Sequence, residues 1–95
     1  MNKTELLAKK VIKCYPNLRM TFIPSQEQNE PGLSYITQID DDDAIHGFII
    51  IGMAGDKYRA VYEPTELSEI ELEAKDFTGT EIEVFAFCDK ILSEQ

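Results

Sequence analysis

The spacing of apolar residues predicts one helix at the start of the chain. Apolar side chains recur at helical spacing, and Tyr15-Pro16 ends the pattern because the residue before proline avoids helical backbone angles. We predict a helix over roughly residues 3 to 15, with Asn2 as its cap and Glu5 three positions later. Its apolar face comprises Leu7, Ala8, Val11, Ile12 and Tyr15, and its basic face comprises Lys3, Lys9, Lys10 and Lys13.

Four segments with strand-like patterns follow this helix. Residues 18–23, 33–39 and 57–63 alternate between apolar and polar side chains, which is typical of half-buried strands. Residues 47–53 are continuously apolar, as expected for a strand buried on both faces. A short turn at residues 54–56 joins two of these segments, so we predict an antiparallel sheet.

Two later segments fit more than one structure. In residues 65–75, Ile70, Leu72 and Ala74 alternate with glutamates, but a helix face is also possible; the unbroken alternation favours a strand. Residues 77–80 have the composition of a turn. Residues 81–88 are rich in β-formers, and we favour a strand there, although Thr80 and Glu83 form a capping box that would start a helix.

These elements together predict one α+β domain over residues 1–95. We expect an N-terminal amphipathic helix packed on an antiparallel sheet of five to six strands, with the last segment a strand or a helix. At this length the buried core is modest, so association with a partner or a second copy would add stability.

Charge is unevenly distributed along the chain. Residues 1–24 carry five basic residues and one acid, whereas residues 25–95 carry seventeen acids and four basic residues, which gives a net charge of −9. A charge this large influences partner choice and association rate rather than fold. It disfavours direct nucleic-acid binding by the basic helix face. That face would dock on the acidic remainder of the chain, contact an acidic partner, or simply be solvated, and a solvated face is the most common case.

The two cysteines and the apolar runs indicate in which cellular compartment the protein is expected. Cys14 and Cys88 lie in apolar sequence, are too far apart for a metal-binding pair, and are expected to be buried thiols in a reducing, cytoplasmic setting. The longest strongly apolar run, residues 48–53, is too short to cross a bilayer, and no leader-type segment is evident. We therefore expect no membrane association.

Two acidic sets are the candidate partner-binding residues. Asp40, Asp41, Asp42 and Asp43 form the densest cluster, but they lack the glycine and glutamate positions of a calcium-binding loop and fit a solvated hairpin loop. Glu69, Glu71 and Glu73 would point to one face of an alternating strand, about 7 Å apart. That spacing resembles the spacing of phosphates along a nucleic-acid strand, although an ordinary solvent-facing strand has the same pattern.

The remaining chemistry-bearing residues carry little signal. His46 is the only histidine and is expected to be a partly exposed loop residue. Gly47 and Gly52 have part of the spacing of a phosphate-binding loop, but the lysine and serine or threonine are missing. We expect Gly47 and Gly55 to lie in turns and Gly52 to mark a bulge or close approach. No catalytic motif is present, and no cofactor or metal ion is expected.

Three functional hypotheses follow from these patterns. The first is a non-enzymatic interaction module that binds a basic protein partner through its acids, for instance as an inhibitor or a nucleic-acid mimic. The second is a structural or assembly subunit that forms homo-oligomers, because residues 48–51 and 85–87 offer more apolar surface than one short helix covers. The third is an enzyme or small-ligand-binding protein.

Overall fold

The strands are arranged in the sheet in the same order as in the chain. The computed structural model describes residues 3–15, 18–24, 32–39, 45–65 and 74–93. They form the predicted α+β fold, an antiparallel sheet of five strands with one helix before it and one after it. The elements are α1 (Lys3–Cys14), β1 (Leu18–Ile23), β2 (Leu33–Ile39), β3 (Ile45–Ala54), β4 (Lys57–Pro64), β5 (Lys75–Gly79) and α2 (Glu81–Ser93).

The strand register separates the side chains into two faces. Residues directly opposite each other in antiparallel strands share a face, and neighbours along a strand point to opposite faces. Ile36 pairs with Ile49, which pairs with Tyr62, and all three are fully buried. The adjacent row contains Ile50 and Val61, which are half-buried. The sheet therefore has one face inside the core and one face outside it.

Both helices cover the same face of the sheet. α1 packs against β1, β2 and β3, whereas α2 packs against β4 and β5, and the two helices also contact each other. Their buried side chains and alternate residues of the central strands form a single core. The core comprises Leu7, Ala8, Val11, Ile36, Ile49, Ile51, Ala60, Tyr62, Val84, Cys88, Ile91 and Leu92.

A buried polar contact fixes the start of α1 against β2. The Thr4 hydroxyl donates a hydrogen bond to the carbonyl oxygen of Gly32 at 3.2 Å and accepts one from Ser34 Oγ at 3.2 Å. Both side chains are fully buried, so these bonds satisfy hydroxyl groups that would otherwise be costly to remove from water. The contact also places the predicted apolar face of α1 onto the sheet.

The strand favoured for residues 81–88 is wrong, because this segment is the first part of α2. The capping box decides the outcome: the Thr80 N–H donates to Glu83 Oε1 at 3.0 Å, and the Glu83 N–H donates to Thr80 Oγ1 at 3.3 Å. Val84 and Cys88, four residues apart, then lie on the buried face of the helix. The β-propensity of residues 81–88 is therefore outweighed by the capping box and by the burial of one face of the helix.

The turn predicted for residues 77–80 is also wrong in its larger part, because residues 77–79 belong to β5. Phe77 pairs with Ala60 of β4, and its ring stacks on that of Phe87 from α2, with centroids 5.3 Å apart. This aromatic contact holds a short edge strand in place. Of the strand favoured for residues 65–75, positions 66–73 lie outside the described residues and Lys75 begins β5.

Strand β3 is longer than predicted and includes two residues expected elsewhere. His46 is a strand residue rather than a loop residue, and Gly47 pairs with Pro64 within the sheet instead of forming a turn. The other two glycine predictions are confirmed. Gly55 occupies the β3–β4 turn with φ of 67°, and a Cβ at Gly52 would lie 2.7 Å from Leu33 Cδ2, which is a close approach.

Candidate functional site

The predicted partner-binding residues lie outside the described part of the chain, but their points of attachment lie within it. This applies to Asp40, Asp41, Asp42 and Asp43 and to Glu69, Glu71 and Glu73. In a sheet whose strands follow chain order, the β2–β3 and β4–β5 connections leave from the same end. Both acidic sets are therefore attached to one end of the sheet, which we call the acidic end. Its anchoring residues are Ile39, Ile45, Pro64 and Lys75.

A hydrogen bond joins the bases of these two connections. The Thr65 hydroxyl, just after β4, donates to the carbonyl oxygen of Ile45 at the start of β3. The register agrees, because Pro64 pairs with Gly47 and brings the end of β4 beside the start of β3. The two connections thus start from a common, hydrogen-bonded platform.

The described residues carry none of the net negative charge of the chain. They include all nine basic residues and seven of the eighteen acids, a net charge of +2. The other eleven acids lie outside the described residues, and eight of them belong to the two connections at the acidic end. The net negative charge of the chain therefore comes from acids outside the described residues, while the described residues are slightly basic.

A groove lies between the two helices. It has a volume of about 340 Å³ and is lined by Leu7, Lys10, Glu81, Ile82 and Phe85. Lys10 Nζ lies 2.5 Å from Glu81 Oε1, and this hydrogen-bonded ion pair raises the pKa of Lys10. The pair links α1 to α2, so at least one lysine of the basic helix face contacts an acid of the same chain.

The chemistry available along this groove is limited. Nearby Tyr58 has a pKa raised first by burial and then by the charge of Glu81, so its phenol stays protonated at neutral pH. Among the described residues, no group of three or more histidine, cysteine, aspartate or glutamate side chains could hold a metal ion. The groove offers an apolar depression with one ion pair at its rim.

The two cysteines differ, contrary to the expectation that both are buried. Cys88 is fully buried in the core, and burial raises the pKa of its thiol to about 12. Cys14 is exposed, because it lies at the end of α1 beyond the last buried turn, with Sγ 3.7 Å from the carbonyl oxygen of Lys10. An apolar sequence context predicted burial, but the position on the helix determines it.

We expect the two thiols to react at very different rates with Ellman's reagent at pH 8. Cys14 should react promptly in the folded protein, whereas a thiol with a pKa of about 12 is ionised in only roughly one molecule in 10⁴ at that pH. Cys88 should react only after denaturant is added. The variant Cys14→Ser is the control, and fast labelling of this variant under native conditions would contradict the assignment.

The sheet face that the helices leave uncovered contains part of the surplus apolar surface expected from residues 48–51, but the sequence did not locate it on one face of the sheet. We call this uncovered face the open face. Its apolar residues include half-buried Tyr35 and Ile50 and exposed Ile23 and Leu33, and none of them belongs to the core cluster or its flanking residues. The continuous apolar run in β3 predicted burial on both faces, but both helices pack on the same side. The larger apolar side chains of this face include Ile23, Leu33, Tyr35, Phe48, Ile50 and Val61.

Comparisons with known proteins do not assign this chain to a family. No family model, no curated protein and no solved structure matches it. No helix in the described ranges combines the length and the apolar character needed to cross a membrane.

Proposed function

We propose that the protein is a non-enzymatic interaction module whose acidic end binds a basic surface on a partner protein. The separation of charge carries this proposal. The described scaffold has a net charge of +2, and eight acids outside it are attached at one end of the sheet. A concentrated negative field at one end steers a basic partner toward that end, whereas the same charges spread evenly would not orient it.

The scaffold supplies what such a module needs. The meander brings the attachment points of the β2–β3 and β4–β5 connections together, and the Thr65–Ile45 hydrogen bond links them. Because these points are fixed by strand pairing, the two acidic sets leave the sheet from neighbouring positions. A partner with a matching group of lysines or arginines would gain several charge-assisted contacts from one docking event.

The three glutamates of the β4–β5 connection are proposed to imitate the phosphates of a nucleic acid. Glu69, Glu71 and Glu73 have the alternation that would space carboxylates about 7 Å apart on a strand, which suits an inhibitor that occupies a nucleic-acid-binding site. A reducing, cytoplasmic compartment fits this role, because Cys14 is an exposed free thiol.

We expect binding to a basic partner to weaken steeply as salt is increased. The experiment immobilises the protein, captures partners from native cell extract at about 50 mM salt, and repeats the capture at about 300 mM, where screening is stronger. The captured protein should be basic, and its purified form should associate more slowly at the higher salt. Capture that is insensitive to salt, or capture of acidic proteins alone, would contradict the proposal.

A further inference from the structure

We propose that the open face is the interface of a homodimer in which two copies of this chain pack sheet against sheet. The centre of the face is apolar and aromatic. In the row Tyr35, Ile50 and Val61, each side chain is half-buried in a single copy, and Phe48 lies in the next row. Leu33 and Ile23 at its margin are 40% and 47% exposed. A continuous apolar face of this kind marks an interaction surface.

The charge of this face favours a second copy over another partner. The alternation of the strands places three basic residues and two acids on the open face, a net charge of +1 on a protein whose total is −9. Two copies can therefore approach through this face with little of the repulsion that the rest of the chain would impose. The basic residues are Arg19, Lys57 and Arg59, and the acids are Glu63 and Asp76.

The charges of β4 are self-complementary. Arg59 and Glu63 lie two positions before and two positions after Val61 on the same face of the strand. A two-fold axis that crosses β4 at Val61 would place the Glu63 of each copy opposite the Arg59 of the other, as an isologous interface requires. Arg59 already pairs with Asp76 within its own chain, so the contact would extend an existing charge pair into a small network.

The area of the face is sufficient for a specific dimer. Five strands about 4.8 Å apart, each about six residues long, give a planar footprint of roughly 24 by 20 Å. Two copies together bury roughly 1,000 Å² of this flat area, without the additional surface of the side chains that project from it. This area reaches the lower range of biological interfaces. Sheets pack face to face at about 10 Å, so half-buried Phe48 and Tyr35 are long enough to interdigitate.

The test is the mass of the protein in solution by light scattering and sedimentation between about 1 and 500 µM. We expect the mass to rise from the 10.8 kDa of one chain toward twice that value. The substitution Ile50→Asp should raise the dimer dissociation constant at least about tenfold, because it puts a charge at the apolar centre of the interface. The double substitution Ile23→Ser and Leu33→Ser should act in the same direction.

Controls separate the interface from folding. Circular dichroism reports whether Ile50→Asp is folded; if it is not, the double variant decides, since both of its positions are exposed. Ile82→Ser is the matched control, because Ile82 is 82% exposed but lies on α2, away from the open face. A wild-type monomer at about 500 µM would overturn the proposal. So would a dimer that survives the folded open-face variants, or one that Ile82→Ser dissociates.

Discussion

Replacing Ile49 with alanine is expected to lower the free energy of unfolding by about 2–5 kcal/mol. Ile49 is fully buried at the centre of β3, between Ile36 and Tyr62, and belongs to the core between the sheet and the helices. The substitution removes buried methyl groups and leaves a cavity that the paired strands cannot close. Total stability at this size is roughly 5–14 kcal/mol, so the loss is a large fraction of it.

The neighbouring residue provides a matched control. Ile50→Ala makes the same chemical change on the same strand, but Ile50 points to the open face and is half-buried. Urea denaturation at about 1 µM, a low concentration that favours the monomer, should show the smaller loss for this variant. Equal losses for the two variants would mean that the open face is as well packed as the core, contrary to the structure.

The alternation of apolar and polar residues was sufficient to predict most of the fold. The bounds of α1, β1, β2 and β4 are confirmed to within one residue, because each segment has a clear period and ends at proline or at a polar turn. β3 extends beyond its predicted length at both ends, since the strand pairing continues to Ile45 and Ala54. Pairing with neighbours sets strand length where the local pattern does not.

The predictions failed where local signals conflicted. Residues 81–88 contain a run of β-formers and a capping box, and the hydrogen bonds between Thr80 and Glu83 decide for the helix. A close look at Val84, Cys88 and Ile91, spaced four and three residues apart, would have favoured the helix from sequence alone. By contrast, nothing local indicates that residues 77–79 form a strand, because that depends on pairing with β4 and on stacking with Phe87.

The sequence also predicted the candidate surfaces only in part. The acidic sets are visible as composition, and the sequence places Asp40–Asp43 between two predicted strands and the three glutamates on the strand favoured for residues 65–75. That the two sets attach to one end of the sheet depends on strand order, which a sequence pattern does not specify. The open face was not predictable from β3 alone, because an unbroken apolar run has the same appearance whether its second face is covered by a helix or by another copy of the chain.

Neutralising the acidic end is expected to slow association with a basic partner by about 10- to 100-fold at low salt, because steering by a concentrated charge contributes gains of that order. The changes are Asp40–Asp43 to Asn and Glu69, Glu71 and Glu73 to Gln, which keep polarity and nearly keep shape. The on-rate is measured by stopped flow at about 50 and 300 mM salt, and the difference between variant and wild type should shrink as screening increases.

The two sets should differ in their effect per charge. The alternation in residues 65–75 predicts a strand, which would present the three glutamates with little loss of conformational entropy. The solvated loop predicted for Asp40–Asp43 would have to be ordered before it pairs. We therefore expect the glutamate set to cost more on-rate per charge. The control is Glu5→Gln with Asp56→Asn, which removes two charges away from the acidic end. If this control slows association equally per charge, the partner is steered by the field of the whole protein and not by its acidic end. If the aspartate set alone abolishes binding, the interface has been placed on the wrong connection.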